Sequence, residues 1–403
     1  MHKDFRGYSA AFVMALAANV FFFISFQAFF PVLPRFIAEV VVNQPSDSVG
    51  GQVGMASTVV ALVAVFARVP AGQLGDRFGR RRFMFVGALC FALAPLIYAA
   101  SRGMGLFLLG RAVHGLGLAV FTPSFQALVV DLAPAGRRGE AMGLAGASTS
   151  VAFVSAPLAG DWLATTMGYT PFFAASVAAA VLSVALVALI AVPSPSAPAA
   201  TGSGGAERST WAGLRLTLKQ RGVRAGVLTM AALGIPFGVF IIFVSLLAEE
   251  RGIVGVGAVF SVYAVTTFLA QPLAGWLSDR VGRRGMILPG LVLVSLATVI
   301  FYLDGSLLTL LLAGGVFGLG GGLTRGGIDA LVQDSVPSTL RGTAAAVQYT
   351  SFDFWIGLSS YPAGLLANAL GYAAIFLLSG ATCLAGGGAL VLMLWSGASQ
   401  DDD

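Results

Sequence analysis

The chain has 403 residues, of which 57% are hydrophobic and only 10% charged, with a mean hydropathy of +0.88. A soluble domain of that length needs far more charged surface, so the composition points to a polytopic membrane protein. Two cysteines, Cys90 and Cys383, both inside apolar runs, argue against a disulfide framework and a metal cluster, and the net charge of +5 does not indicate nucleic acid once the charges are placed.

A spanning helix needs about 20 apolar residues. The sequence predicts twelve such helices, at 8–33, 49–74, 83–101, 105–130, 140–163, 170–192, 223–248, 254–277, 285–303, 306–331, 343–366 and 371–395. The first run is too long, and lacks the small-residue cleavage site, to be a removed signal peptide. It is rich in phenylalanine and carries Asn19, Gln27 and Pro31-Val-Leu-Pro34. The second span contains Arg68, near enough to one face for its charge to snorkel.

Between spans 2 and 3 lies the densest charge cluster, Gly72-Gln-Leu-Gly-Asp76-Arg77-Phe-Gly79-Arg80-Arg81-Arg82. Charges packed between two membrane-length runs read as a short hairpin loop held in water. In the fourth span, Arg111 and His114 stand at i and i+3 and share a helix face. An imidazole there can titrate near neutral pH.

After span 6 the composition shifts to Pro193-Ser-Pro-Ser-Ala-Pro198 and Thr201-Gly-Ser-Gly-Gly205, a flexible linker. Trp211, Leu214, Leu216 and Leu218 then interleave with Arg215, Lys219, Arg221 and Arg224, a pattern suited to lying on a membrane surface. Spans 7 and 8 carry Phe237 and Tyr263. From Gly314 to Asp329 the tenth carries eight glycines, which allow close backbone approach. Within it Arg325 and Asp329 are spaced i, i+4 and can neutralise each other. The eleventh holds Gln348, Tyr349, Asp353, Phe354 and Trp355. At 1.5 Å rise per residue, Asp353 lies roughly 15 Å into its helix, near mid-bilayer.

The halves of the chain are related. Gly275-Trp-Leu-Ser-Asp279-Arg280-Val-Gly282-Arg283-Arg284 repeats the loop 203 residues on, counted from Asp76 to Asp279. Asp131-Leu-Ala-Pro134 with Arg138-Gly139 returns as Asp334-Ser-Val-Pro337 with Arg341-Gly342, and Gly115-Leu-Gly117 as Gly318-Leu-Gly320, at the same offset. Two parallel six-helix halves, with a substrate site between them near mid-membrane, are a known transporter design. The expected organisation is therefore a bundle over 1–192, a cytoplasmic linker over 193–222 and a bundle over 223–403.

Charge sets the orientation. Of 23 Lys and Arg, all but Arg35, Arg102, Arg251 and the in-span Arg68, Arg111 and Arg325 fall on the side that holds both termini. Positive residues stay cytoplasmic, so both termini are expected inside.

The chain resembles the major facilitator superfamily over essentially its full length. The loop signature G-x-L-[GAS]-D-R-x-G-R-R is met by Gly72 to Arg82 and again by Gly275 to Arg284, and R-x-x-x-G-x-G by Arg111, Gly115 and Gly117. The antiporter signature of span 5 is present only in degraded form, as Ala156-Pro157-Leu158-Ala159-Gly160. The resemblance implies an all-α transporter of twelve transmembrane helices in two pseudo-symmetric bundles, working as a monomer in the bacterial inner membrane. It also gives Arg111 a part in proton coupling.

A carboxylate at a helix N-terminus is favourable, so Asp76 is expected at the start of span 11 and Asp279 at the start of span 5. With Arg77, Arg80, Asp131, Arg138, Arg280, Arg283, Asp334 and Arg341 they would form a cytoplasmic gate that breaks and remakes between access states. Charges inside a membrane are expensive and functional, which nominates Asp353, Arg325, Asp329, Arg111 and His114 for proton coupling. Asn19, Gln27, Phe237, Tyr263, Gln348, Tyr349, Phe354 and Trp355 are the candidate cavity lining.

No HExxH, Cys/His cluster, Ser/His/Asp set or phosphate-binding GxxxxGK[ST] loop occurs, so neither a catalytic residue nor a metal or cofactor site is expected. The partners are a small-molecule substrate, protons and the lipid bilayer. The phenylalanine-rich first span and its Pro31–Pro34 segment resemble the drug-efflux branch, which implies proton-coupled export of a drug-like or metabolite solute. Proton-coupled uptake and facilitated diffusion of a small organic ion stay open.

Overall fold

The computed structural model describes residues 7–134, 136–191, 215–282, 284–303, 305–337 and 340–395. Among these the chain forms twelve long helices and no strands, as a bilayer demands of a chain that must satisfy its backbone polar groups internally. They are α1 (Ala10–Val42), α2 (Gly50–Phe78), α3 (Arg80–Ala100), α4 (Met104–Leu132), α5 (Arg138–Met167), α6 (Tyr169–Leu189), α7 (Arg221–Glu250), α8 (Gly257–Val281), α9 (Arg284–Tyr302), α10 (Leu307–Asp334), α11 (Arg341–Leu370) and α12 (Tyr372–Trp395). Eleven are long and apolar enough to cross a membrane. The other, α11, has 30 residues but includes Gln348, Tyr349, Ser351 and Asp353. The protein is a multi-pass membrane protein.

Ser9 starts α1, its hydroxyl accepting the N–H of Phe12. This helix continues past the expected end near residue 33, as Phe29–Phe36 and then a π-helical turn, Ile37–Val42.

The charged stretch after α2 is not a loop. Helix α2 continues through Asp76 and Arg77 to Phe78, and Arg80, Arg81 and Arg82 form the first turn of α3. Gly79 alone makes the break, at φ 104°, and Gly282, directly after α8, has a positive φ of 84°. Only glycine enters that region without strain, which accounts for its recurrence. Charged side chains do not end a helix, because its backbone bonds are internal; apolar periodicity therefore underestimates helix length at membrane faces.

The repeat is deeper than the motifs. Gly168 and Gly371, also 203 residues apart, both sit at φ 85° in the turns before α6 and α12. A β-carbon on Gly87 would lie 2.9 Å from the Gly117 carbonyl, and one on Gly290 would lie 2.7 Å from that of Gly320. The α3–α4 contact thus returns as α9–α10. In the same way Gly115 meets the Val60 carbonyl of α2, and Gly318 that of Tyr263 of α8. The glycines of the span 4 signature are points where helices touch backbone to backbone, the usual way of packing helices where lipid removes the hydrophobic driving force.

The chain separates into two compact units, residues 1–194 with 242–261, and residues 195–241 with 262–403. The sequence counts 242–261 with the second half; the end of α7 and the start of α8 pack with the first unit. In that unit α3 packs on α4 and α6, α4 on α2, and α1 on α5 and α6. Phe22 of α1 is fully buried and stacked on Phe91 (3.6 Å) and Phe121 (3.8 Å). In the second unit α9 packs on α10 and α12, and Phe240 lies against Tyr263, Phe301 and Phe317.

Gly87→Val and Gly290→Val are expected to destabilise by about 1–3 kcal/mol through overpacking. By contrast Gly143 and Gly146 face open space within α5, and alanine there should be neutral or stabilising by up to about 1 kcal/mol. Thermal unfolding of the four variants in one detergent checks the contrast.

Candidate functional site

The cytoplasmic-gate candidates are only partly described. The side chains of Asp76 and Asp279, and residue Arg283, lie outside the described residues. Arg80, at the start of α3, donates to Asp131 near the end of α4 and to the Ala127 carbonyl (2.9 Å). Arg81 reaches the carbonyls of Val187 and Ala188 at the end of α6. The guanidinium of Arg77 lies 5.3 Å from the ring of Phe78, and that of Arg280 lies 3.8 Å from Trp276. Arg138 and Arg341 are the exposed first residues of α5 and α11, and Asp334 is the last of α10. Arg137 donates twice to Glu140, at 2.8 and 2.6 Å, and these bonds raise its pKa further above the ordinary arginine value.

In the first unit Arg111, His114 and Asn19 are buried and tied to neighbouring helices. Arg111 is 6% exposed and its Nε donates to the Ala56 carbonyl of α2 at 3.0 Å. His114 is fully buried, with Nδ1 2.9 Å from the Tyr98 hydroxyl. Phe26, Phe29 and Phe91 surround its ring. Asn19 is fully buried and donates to Ser148 (2.8 Å) and Thr149 (2.9 Å), pinning α1 to α5. Gln27, which ends the first piece of α1, is also buried.

The second unit holds the more open arrangement. Asp329 of α10 accepts hydrogen bonds from Gln348 Nε2 (2.5 Å) and Tyr349 Oη (2.8 Å) of α11. Arg325 points elsewhere: its guanidinium lies 4.2 Å from the ring of Phe352 and 5.6 Å from Phe237. Arg325 still acts on Asp329 electrostatically along α10, while each also reaches toward other helices, because the bundle offers Asp329 two donors and Arg325 two ring faces. Gln348 is buried and Tyr349 39% exposed. Asp353, half-buried, follows Tyr349 by one turn. Phe237 also touches Tyr263 and Phe352, while Phe354 and Trp355 sit edge to face at 6.1 Å.

Sequence reasoning alone passes over Asp161, 4% exposed within α5. A charge inside a predicted span is the signal that finds it.

The sequence profile of the Major Facilitator Superfamily matches residues 15–254 and 226–402. The chain belongs to that family. It is a membrane transport protein, not an enzyme. Multidrug resistance protein 2 of Bacillus subtilis is 28% identical over 184 residues, 46% of this chain and 44% of the relative. The quinolone resistance protein NorA of Staphylococcus aureus is 21% identical over 176 residues, 43% and 44% of the two chains. The chain therefore matches less than half the length of either. An uncharacterized MFS-type transporter of Methanocaldococcus jannaschii is 22% identical over 334 residues, 81% and 85%. Among solved structures, the nucleoside transporter NupG shares the fold with a TM-score of 0.78 at 12% identity, over 95% of this chain and 99% of that one. A peptide transporter, POT, in complex with alafosfalin gives 0.75 at 14%, over 97% and 96%.

The Arg80–Asp131 pair is partly exposed, with side-chain accessibilities of 31% and 54%, so its stability contribution should be small. A double-mutant cycle with Arg80→Gln and Asp131→Asn is expected to give a coupling below about 1 kcal/mol in thermal unfolding. A larger coupling would show the pair to be far less hydrated than its exposure indicates.

Proposed function

We propose that this chain exports a small organic solute from the bacterial cytoplasm by proton-coupled alternating access, as a monomer with both termini in the cytoplasm. The observation that carries the reading is Asp329: a carboxylate inside α10, held by the Gln348 amide and the Tyr349 hydroxyl of α11. An ionised carboxylate accepts both bonds, whereas a protonated one loses acceptor strength and becomes a donor. Proton uptake at Asp329 therefore loosens two α11 side chains that also sit on the candidate substrate surface. That geometry puts proton and substrate in competition through one pair of residues, as antiport requires. Asp353, one turn along α11, is the second candidate proton carrier. On the α4 face, Arg111 and His114 are more deeply buried.

The efflux direction is supported by the likeness to a multidrug resistance protein of Bacillus subtilis and a quinolone resistance protein of Staphylococcus aureus, since moving a toxic solute outward is one way to resist it. The repeated Asp76 and Asp279, with Arg77, Arg80, Asp131, Arg138, Arg280, Arg283, Asp334 and Arg341, act as the cytoplasmic gate in this reading. Phe237, Tyr263, Phe354 and Trp355 present aromatic surface to the solute in this reading.

A one-unit pH gradient is worth about 1.4 kcal/mol per proton, so one-for-one antiport sustains a concentration ratio of about ten. Proteoliposomes with gradients of either sign, probed with a fluorescent quinolone, should show that ratio for the parent protein. Asp329→Asn is expected to bring the ratio close to one while keeping counterflow exchange within about twofold of the parent. If Asp329→Asn still concentrates the probe at parent level, coupling moves to Asp353, tested by Asp353→Asn in the same vesicles. Probe movement that ignores both gradients in the parent protein would overturn proton coupling altogether.

A further inference from the structure

In the first unit, α5 runs from Arg138, near the Gly79 turn, to Met167 at the remote end, and Asp161 lies in its last two turns. Its Oδ2 accepts the N–H of Gly257 at 3.0 Å, and Gly257 is the first residue of α8. The first N–H groups of a helix have no partner within it, and a carboxylate there also complements the helix dipole. Contact is close: a β-carbon on Gly257 would stand 2.6 Å from the Pro157 carbonyl and 2.8 Å from Asp161 Cβ.

One turn further, Ser261 Oγ donates to the Val154 carbonyl at 2.6 Å. Val154, Pro157 and Asp161 are three and four residues apart and so form one face of α5. Alongside, Arg35 approaches Glu249 at 4.0 Å and Ser245 donates to the Phe30 carbonyl at 3.4 Å, closing α1 on the end of α7. Every one of these bonds lies within the first unit and joins residues 242–261 to its other helices.

We infer that Asp161 is the latch of a gate at the end of the first unit remote from Gly79, holding α5 and α8 together until the transport cycle parts them. Registered on Pro157 and Gly160, Asp161 takes the place of the last glycine in the antiporter signature G-P-x-x-G-G. A glycine there permits close packing but holds nothing, whereas the carboxylate adds a hydrogen bond that must break on opening. Sequence departure and structural contact thus have one explanation. The inference rests on alternating access, but its test needs no substrate and stands apart from proton coupling.

With Cys90 and Cys383 replaced by alanine, Ser245→Cys places a thiol at a site 3% exposed in the closed arrangement. Its alkylation by a membrane-impermeant maleimide is followed in sealed right-side-out and inverted vesicles. Adding Asp161→Ala is expected to speed labelling from one side about three- to tenfold, the factor lost with a helix-capping bond. Gly257→Ala, which wedges the same contact, should act alike and serves if Asp161→Ala does not fold. Asp161→Asn keeps an acceptor oxygen and should stay within about twofold of the parent. Unchanged labelling in both Asp161→Ala and Gly257→Ala, equal acceleration from both sides, or Asp161→Asn labelling as fast as Asp161→Ala each overturns the latch.

Discussion

Backbone-to-backbone contact between glycines holds α3 to α4 and α9 to α10, and the rest of each unit depends on it. Lipid is as apolar as leucine, so burying hydrocarbon between two helices gains little inside a bilayer. What remains is dispersion, and dispersion demands close approach. Gly87 with Gly117 and Gly290 with Gly320 bring the helix backbones together where any side chain would collide. Phe22, stacked between Phe91 and Phe121, then fills the space left beside that contact in the first unit.

Polar groups inside the two units follow different rules. In the first, Arg111, His114 and Asn19 are buried, each bonded to a neighbouring helix, so part of their cost is offset by interhelical bonds and they act partly as ties. In the second, Asp329 and Tyr349 join α10 to α11 at a place that Tyr349 leaves partly exposed. An exposed tie can exchange partners with a proton or a solute; a sealed one does so only if the bundle opens. The difference is one of access, and it is why the second unit carries the functional proposal.

Helix ends carry the remaining chemistry. Arg80 with Asp131 links α3 to α4 at one end of the first unit, and Asp161 caps α8 at the other. Both place charge beside helix termini, where unpaired backbone groups and the dipole make a small bond both favourable and breakable. A transporter needs bonds of that strength, since a contact worth many kcal/mol would hold one access state indefinitely.

Apolar runs of membrane length, the 203-residue repeat and the bias of Lys and Arg are local or periodic properties, so the class, the helix number and the two-fold organisation were legible in the sequence. Repeated glycines at 79 and 282 were legible too, because a single backbone angle demands them. Several things were decided only in three dimensions. The charged stretch is helical rather than looped, since helix bonds continue wherever no residue forbids them. Asp329 takes its hydrogen bonds from Gln348 and Tyr349, and Asp161 finds the start of α8 ninety-six residues away. Spacing along one helix shows which side chains share a face, but which neighbour that face meets depends on packing between helices distant in sequence.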